Sequence, residues 1–124
     1  MNQWLAVAVG GALGSMARFG LSGWVAGWLG NRFPYATLLV NLLGCLLMGI
    51  LVVLLSERWA VAPQWRAFAL VGLLGGFTTF SSFSLEAYTL LRLQQWLAAF
   101  FYLAGSLLLG LLALAAGIAL ARRF

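Results

Sequence analysis

The sequence predicts an all-α integral membrane protein, a single domain of four transmembrane helices. Hydrophobic residues make up 65% of the 124-residue chain and charged residues only 7%, whereas a soluble domain carries about 25% charged residues. Three stretches without charge cover residues 33–56, 67–85 and 93–121, and a helix needs about 20 apolar residues to cross a bilayer. A fourth stretch, residues 4–28, contains one charged residue, Arg18.

We place the four helices at residues 4–28, 35–56, 66–91 and 96–121. Their connections are short, and Pro34 suits the first turn of the second helix, where its missing N–H is not needed. Tryptophans lie near the predicted helix ends, as is typical of membrane–water interfaces. Connections this short leave no room for an extramembrane domain, so we expect the function to lie within the bilayer.

The residue types that are missing exclude most enzymatic chemistry. The chain has no His, Asp or Lys, its only acidic residues are Glu57 and Glu86, and its only cysteine is Cys45. One chain therefore cannot supply a Ser–His–Asp triad, an Asp dyad or a His/Cys zinc site. We expect that the protein is not an enzyme.

The net charge of +5 does not indicate a nucleic-acid partner, because most of the arginines flank the apolar stretches. That placement is typical of contact with the lipid bilayer and its anionic headgroups. The side with both termini carries Arg58, Arg66, Arg122 and Arg123, and the opposite side carries Arg32 and Arg92. This mild bias favours cytoplasmic termini but also permits insertion in both orientations.

The first helix carries Gly10, Gly14 and Arg18 at spacings of four residues, which places them on one face. Small residues at this spacing allow another helix to approach closely. Two alternatives stay open for Arg18: its side chain extends outward to the interface, or it faces a water-filled vestibule and attracts anions.

The second helix places Thr37, Asn41 and Gly44 on one face, and the fourth helix does the same with Tyr102, Ser106 and Gly110. Asn41 brings two N–H donors and a carbonyl acceptor. It either forms an interhelical hydrogen bond or lines a permeation path. The same choice applies to Ser106, whose hydroxyl either packs between helices or lines the path.

The third helix carries the strongest signal, because residues 75–84 read Gly-Gly-Phe-Thr-Thr-Phe-Ser-Ser-Phe-Ser. Paired glycines destabilise a helix, and consecutive Ser and Thr side chains offer the backbone other hydrogen-bond partners. We predict that the helix is broken in this segment, near the bilayer midplane. Backbone carbonyls freed there must be buried against protein, line a watery cavity or bind an ion.

Phe80 and Phe83 lie on one face of this helix, interleaved with Thr79 and Ser82 and followed by Glu86. The edge of an aromatic ring is electropositive. Ring edges turned inward, beside hydroxyl and amide donors, would form a site for a small anion without any fixed positive charge. Such a site can bind without trapping, which conduction requires.

Three blocks of this chain, GGALGSMAR (residues 10–18), TLLVNLLG (37–44) and GGFTTFSSF (75–83), resemble the signature blocks of the CrcB/Fluc family of fluoride-specific ion channels. The resemblance covers essentially the whole chain. It implies an antiparallel, dual-topology homodimer in the cell inner (plasma) membrane, with two fluoride pores. The expected function is passive export of toxic fluoride.

The resemblance also implies roles for individual residues. It assigns the pore to Asn41, Phe80, Phe83, Ser82, Thr79, Ser81, Tyr102, Ser106 and Thr37. Arg18 would lie in a vestibule and Glu86 along the outer path. The family commonly has Thr in place of Ser82, which keeps the hydroxyl, and often Ser or Thr in place of Gly110, where this chain lacks that donor.

A structural sodium ion (Na⁺) that is not transported is expected at the dimer centre. The resemblance assigns its ligands to backbone carbonyls of Gly75 and Thr78 from both subunits. Independently, two midplane breaks in an antiparallel dimer would meet on the two-fold axis. Carbonyl oxygens without a carboxylate suit a monovalent cation better than a divalent one.

A four-helix membrane chain of this length is compatible with two other functions. A small dual-topology multidrug exporter also has four helices and about this length, but proton-coupled export relies on a membrane-embedded carboxylate, for which the only candidate is Glu86. Proton-dependent transport that is lost in Glu86→Gln would favour an exporter. A non-transporting assembly subunit would show no ion flux when purified.

Overall fold

The computed structural model describes residues 2–124, and every regular element in that range is a helix. The helices form four spans long and apolar enough to cross a membrane: Gln3–Leu29, Tyr35–Arg58, Pro63–Arg92 and Trp96–Arg122. Each end lies within three residues of its predicted position. The four-helix membrane architecture is therefore confirmed.

Two of the spans are composite. The first span is one helix, α1 (Gln3–Leu29), and the fourth is α6 (Trp96–Arg122). The second begins as α2 (Tyr35–Val52) and ends in a π-helical segment, Val53–Arg58. The third consists of α3 (Pro63–Arg66), a π-helical segment (Ala67–Leu73), α4 (Leu74–Phe77) and α5 (Phe80–Arg92).

Local signals in the sequence account for several helix ends. The side chain of Asn2 caps α1 by accepting a hydrogen bond from the Leu5 N–H at 2.7 Å. Gly30 ends α1 with a φ of 76°, a left-handed conformation that glycine adopts without steric cost. Pro63 opens the third span in the first turn, as its fixed φ favours.

The third span is interrupted at Thr78 and Thr79. Thr78 has a ψ of 157°, and Thr79 has φ −148° and ψ 116°, so both residues are extended. The interruption lies within residues 75–84, where the sequence predicts a break, and it follows the glycine pair, because Gly75 and Gly76 are helical. Gly76 lacks a side chain for a packing reason: a Cβ there would lie 2.7 Å from the carbonyl oxygen of Gly11.

Glycines bring the spans into backbone contact. A Cβ on Gly10 would lie 2.9 Å from the Leu73 nitrogen, and one on Gly14 would lie 2.9 Å from the Phe77 nitrogen. The predicted packing role of these two glycines is confirmed. Gly49 makes the same kind of contact between α2 and α6, where an added Cβ would lie 2.9 Å from the Ile118 nitrogen.

Helices α5 and α6 share the main apolar cluster of the chain: Phe83, Ala87, Leu90, Ala99 and Tyr102. Val40 of α2 is also fully buried. This packing sets the rotation of α5 after the interruption, and with it the direction in which the polar residues of α5 point.

Candidate functional site

The interruption of the third span is held by one side chain, that of Asn41 on α2. The Asn41 Oδ1 accepts a hydrogen bond from the Thr79 N–H at 2.8 Å, and its Nδ2 donates to the Thr79 carbonyl at 3.1 Å. A single amide therefore satisfies both backbone groups of an extended residue, as a neighbouring strand would. The interhelical bond anticipated for Asn41 is present, and its partner is the broken backbone.

The hydroxyls of the two threonines support the same conformation. The Thr79 Oγ1 accepts a hydrogen bond from the Ser82 N–H at 3.1 Å and so caps α5. The Thr78 hydroxyl donates to the Leu74 carbonyl at 2.9 Å. Gly44, beside Asn41 on α2, leaves space that the methyl group of Thr78 fills.

Backbone carbonyls lose their regular helical donors at this point, among them those of Gly75 and Thr78. In an uninterrupted helix, Gly75 would receive the Thr79 N–H and Thr78 would receive the Ser82 N–H. Those N–H groups instead bond to Asn41 and to the Thr79 hydroxyl. Neutral oxygens of this kind suit a monovalent cation. Residues 2–124 contain no group of three His, Cys, Asp or Glu side chains that could hold a metal.

Arg18 contacts the other side of the interruption. Its half-buried guanidinium donates from Nε to the Gly76 carbonyl at 3.2 Å. The side chain therefore meets the backbone of the third span, and the alternative in which it extends outward to the interface is not what the structure shows.

A groove of about 410 Å³ runs beside the interruption. It brings together five of the predicted pore residues: Asn41, Thr79, Phe80, Phe83 and Ser106. The Ser106 hydroxyl is buried and has no hydrogen-bond partner in the part of the chain that the structure describes. Buried hydroxyls normally have a partner, so this hydroxyl is an exception beside the groove.

The two predicted pore phenylalanines occupy different environments. The Phe83 ring is buried, with 9% exposure, and packs on Tyr102 at a centroid distance of 5.1 Å. Phe80 is 78% exposed, and its ring lies 5.8 Å from that of Phe83 at an interplanar angle of 46°. One chain therefore supplies one enclosed ring and one ring at the rim of the groove.

Beyond Phe83, three polar residues from three spans converge. The Glu86 carboxylate accepts hydrogen bonds from the Thr37 hydroxyl at 2.7 Å and from the Tyr102 hydroxyl at 2.9 Å. The sequence pattern puts these residues on separate helix faces and does not predict their convergence. The available signal was that each is a polar residue in an apolar part of its own helix.

Glu86 and Thr37 also line a second cavity of about 330 Å³, which extends to the connection between the first two spans at Arg32. Glu86 thus lies at the α5 side of the groove, whereas Arg18 lies at Gly76 on α4. The sequence grouped Arg18 and Glu86 as residues of the approach to the pore, and the structure does not bring them together.

Three further predicted positions lie at the edges of this arrangement. Ser81 is exposed and Ser82 is half-buried in the first turn of α5, and neither contributes to the lining of the groove in a single chain. Their pore role stays a prediction. Gly110 faces Cys45, whose sulfur lies 3.6 Å from the position of an added Cβ.

Comparison with known proteins agrees with this architecture. Residues 5–118 match the family model described as "CrcB-like protein, Camphor Resistance (CrcB)". A relative named "Fluoride-specific ion channel FluC" from Chloroflexus aurantiacus is 44% identical over 124 residues, which cover 100% of this chain and 98% of the relative.

Two other relatives carry the same name. The protein from Stutzerimonas stutzeri is 50% identical over 94% of each chain. The protein from Thermus thermophilus is 51% identical over 90% of this chain and 87% of the relative. The family is one of ion channels and not of enzymes. The expected resemblance is confirmed, and the chain belongs to the CrcB-like family.

Proposed function

We propose that this protein is a fluoride-selective anion channel that passively exports fluoride across the cell inner (plasma) membrane and so lowers its toxicity. The observation that carries the proposal is the buried, unpartnered Ser106 hydroxyl in a groove beside Asn41 and Phe83. The names of the full-length relatives support the identity of the ion.

The groove offers donors but no fixed charge. Asn41 Nδ2 carries two N–H groups, of which one donates to the Thr79 carbonyl. The second N–H and the Ser106 hydroxyl could replace water around a small anion. The electropositive edge of Phe83 would add a weak contribution when it points at the anion. Neutral donors of this kind bind without trapping, which conduction requires.

The track continues toward Glu86. An anion that leaves Phe83 meets the hydroxyls of Tyr102 and Thr37, which both donate to the Glu86 carboxylate. The anion must therefore compete with that carboxylate for the two donors. This competition would let the ion leave, because both hydroxyls can return to their hydrogen bonds with the carboxylate.

We propose that the channel is an antiparallel, dual-topology homodimer. Phe80 is 78% exposed in a single chain, and Ser81 and Ser84 are exposed on the same half-helix. Hydroxyls on a membrane span are costly to expose to lipid, so a second copy or water must cover this face. The small arginine bias between the two sides of the membrane permits the two opposite orientations.

A structural sodium ion at the dimer centre fits the carbonyls of Gly75 and Thr78, since both lose their regular helical donors. Gly75 is also exposed on the surface of the chain, where a second copy could bring its own carbonyls. When bound, the ion would supply positive charge that attracts the negative ends of these carbonyl dipoles. Asn41 keeps Thr79 extended and thereby keeps the carbonyls of Gly75 and Thr78 in their orientation.

Fluoride-electrode measurement of efflux from liposomes with purified protein tests the proposal. Wild-type protein should release fluoride and retain chloride. Phe83→Ile should abolish efflux while the dimer stays intact, because it removes the ring edge but keeps apolar volume. Leu111→Ile, an exposed position on α6, is the matched control and should keep wild-type efflux. Unchanged efflux in Phe83→Ile would refute the pore assignment.

A further inference from the structure

We propose that Arg18 is a positioning residue for the interrupted span, and that it acts through its Nε–H on the Gly76 carbonyl and not through its charge. This inference rests on the proposed channel function. Asn41 holds the extended residue Thr79 from α2. Arg18 holds Gly76, three residues earlier, from α1.

The Gly76 carbonyl needs a partner from outside its helix. Gly76 belongs to the four-residue helix α4, which ends at Phe77. The last four carbonyls of a helix have no regular intrahelical donor beyond its end. An unsatisfied carbonyl inside a membrane protein costs several kcal/mol, so the 3.2 Å bond from Arg18 stabilises this end of α4.

The glycines of α1 fix the register that brings Arg18 to this carbonyl. The α1 backbone contacts the third span so closely that a Cβ on Gly14 would lie 2.9 Å from the Phe77 nitrogen. A Cβ added to Gly76 would lie 3.2 Å from the Ser15 hydroxyl oxygen. Arg18 follows Gly14 by four residues and therefore lies on the same face, one turn further along.

Charge pairing does not account for the position of Arg18. Within residues 2–124 the structure shows one salt bridge, between Arg122 and Glu57 at 3.3 Å, so Arg18 has no carboxylate partner there. A half-buried cation within a membrane span is costly. The contact that the structure does show is to a backbone carbonyl beside the interruption, which points to a role in placing that backbone.

Substitution by glutamine separates the hydrogen bond from the charge. The Nε2 of glutamine is the same number of bonds from the backbone as the Nε of arginine, so Arg18→Gln keeps a donor at this place and removes the charge. Arg18→Met removes both, and Arg18→Lys keeps the charge. Arg123→Met, at the exposed C-terminus, is the matched control for loss of one arginine.

Fluoride efflux from proteoliposomes is the first measurement. Arg18→Gln and Arg123→Met should stay within about threefold of wild type, whereas Arg18→Met should fall by about tenfold, as the loss of one hydrogen bond predicts. The inference is overturned if Arg18→Met keeps wild-type efflux, or if Arg18→Lys is active while Arg18→Gln is as slow as Arg18→Met.

Hydrogen exchange of backbone amides is the second measurement, and it does not require flux. Arg18→Met should speed exchange at residues 78–82 and leave the centres of α1 and α6 unchanged, and Arg18→Gln should not. Uniformly faster exchange in Arg18→Met, or no change at residues 78–82, would overturn the positioning role. Absence of fluoride flux in wild-type protein would instead refute the proposed function, and the exchange result would still decide the role of Arg18.

Discussion

Asn41 holds the interruption of the third span and also lines the groove beside it. Its amide bonds both the N–H and the carbonyl of Thr79, and its position in the groove wall leaves one N–H for an ion. An ordinary interhelical hydrogen bond would need one donor and one acceptor on two side chains. Here the partner is backbone, so the side chain determines the path of the third span.

Replacement of Asn41 by Asp should abolish fluoride efflux. The change keeps an acceptor for the Thr79 N–H, removes the donor to the Thr79 carbonyl, and places a negative charge beside the path of an anion. Efflux from proteoliposomes should fall by about tenfold or more, given the usual cost of a lost buried hydrogen bond. Asn2→Asp, which retains an N-cap oxygen on α1, should leave efflux unchanged. Wild-type efflux in Asn41→Asp would contradict the pore role proposed for Asn41.

Removal of the Ser106 hydroxyl tests the donor that lacks a partner. Ser106→Ala should slow efflux without loss of stability, because no intramolecular hydrogen bond is broken. Thermal unfolding in detergent should give a midpoint equal to or above that of wild type, since burial of an unpaired hydroxyl is costly. Slower efflux together with a marked drop of this midpoint would indicate a packing role instead.

At the scale of elements, backbone contacts between helices determine where polar side chains meet. Gly49 on α2 and Gly117 on α6 allow the two helices to touch, and a Cβ on Gly117 would lie 3.0 Å from the Ile50 nitrogen. That contact aligns Tyr102 on α6 with Thr37 on α2, so both hydroxyls reach Glu86. Glycine spacing on the helices thus assembles the polar track.

Alanine substitution at Gly49 should destabilise the fold. The added methyl group would meet the Ile118 nitrogen at 2.9 Å, and overpacking of this kind costs about 1–3 kcal/mol. Thermal or denaturant unfolding of purified protein in detergent measures the change. The matched control is Gly105→Ala on α6, where nothing lies within 4 Å; equal destabilisation by both variants would contradict the packing argument.

The salt bridge that joins the ends of the second and fourth spans should contribute little. Arg122 and Glu57 lie 3.3 Å apart, and their side chains are 62% and 53% exposed. Exposed pairs contribute about 0.2–1 kcal/mol. Glu57→Gln should therefore shift the unfolding midpoint only slightly, and a shift as large as that of Gly49→Ala would show that the pair is more important than its exposure suggests.

At the scale of the whole molecule, the chain leaves two predicted site residues exposed on its outer surface. Phe80 is 78% exposed, and Gly75 is exposed beside the interruption. An isolated chain would present these groups to lipid, whereas an antiparallel partner would enclose them. The proposed pore is therefore a property of the pair, although each chain folds its own groove.

Variants whose changed charges make the chain insert in one orientation test the proposed antiparallel pair. Gln3→Lys with Gln64→Lys adds two cations to the side with the termini, and should favour cytoplasmic termini. Gln94→Lys and Gln95→Lys, combined with Arg122→Gln and Arg123→Gln, should favour the reverse. Each variant expressed alone should lose efflux, and co-expression should restore it. Full efflux from either variant alone would contradict dual topology.

Hydropathy was sufficient to locate the helices, because the free energy of placing a residue in a bilayer is local to that residue. For this reason the four spans and their ends could be predicted, and the four-residue spacing of Gly10 and Gly14 predicted their packing role. Which residues interrupt the third span could not be predicted. Gly75 and Gly76 stay helical, and Gly76 packs on Gly11 of α1, whereas Asn41 from a distant part of the chain bonds the extended residue Thr79.

The sequence by itself determined that this is a four-span membrane protein of the CrcB-like family whose third span is rich in hydroxyls. Only the tertiary structure decided which polar groups meet: Asn41 with Thr79, Arg18 with Gly76, and Thr37 and Tyr102 with Glu86. The physical reason is that these pairs depend on the depth and rotation of each helix. Glycine contacts between spans set both, and those contacts join residues far apart in the chain.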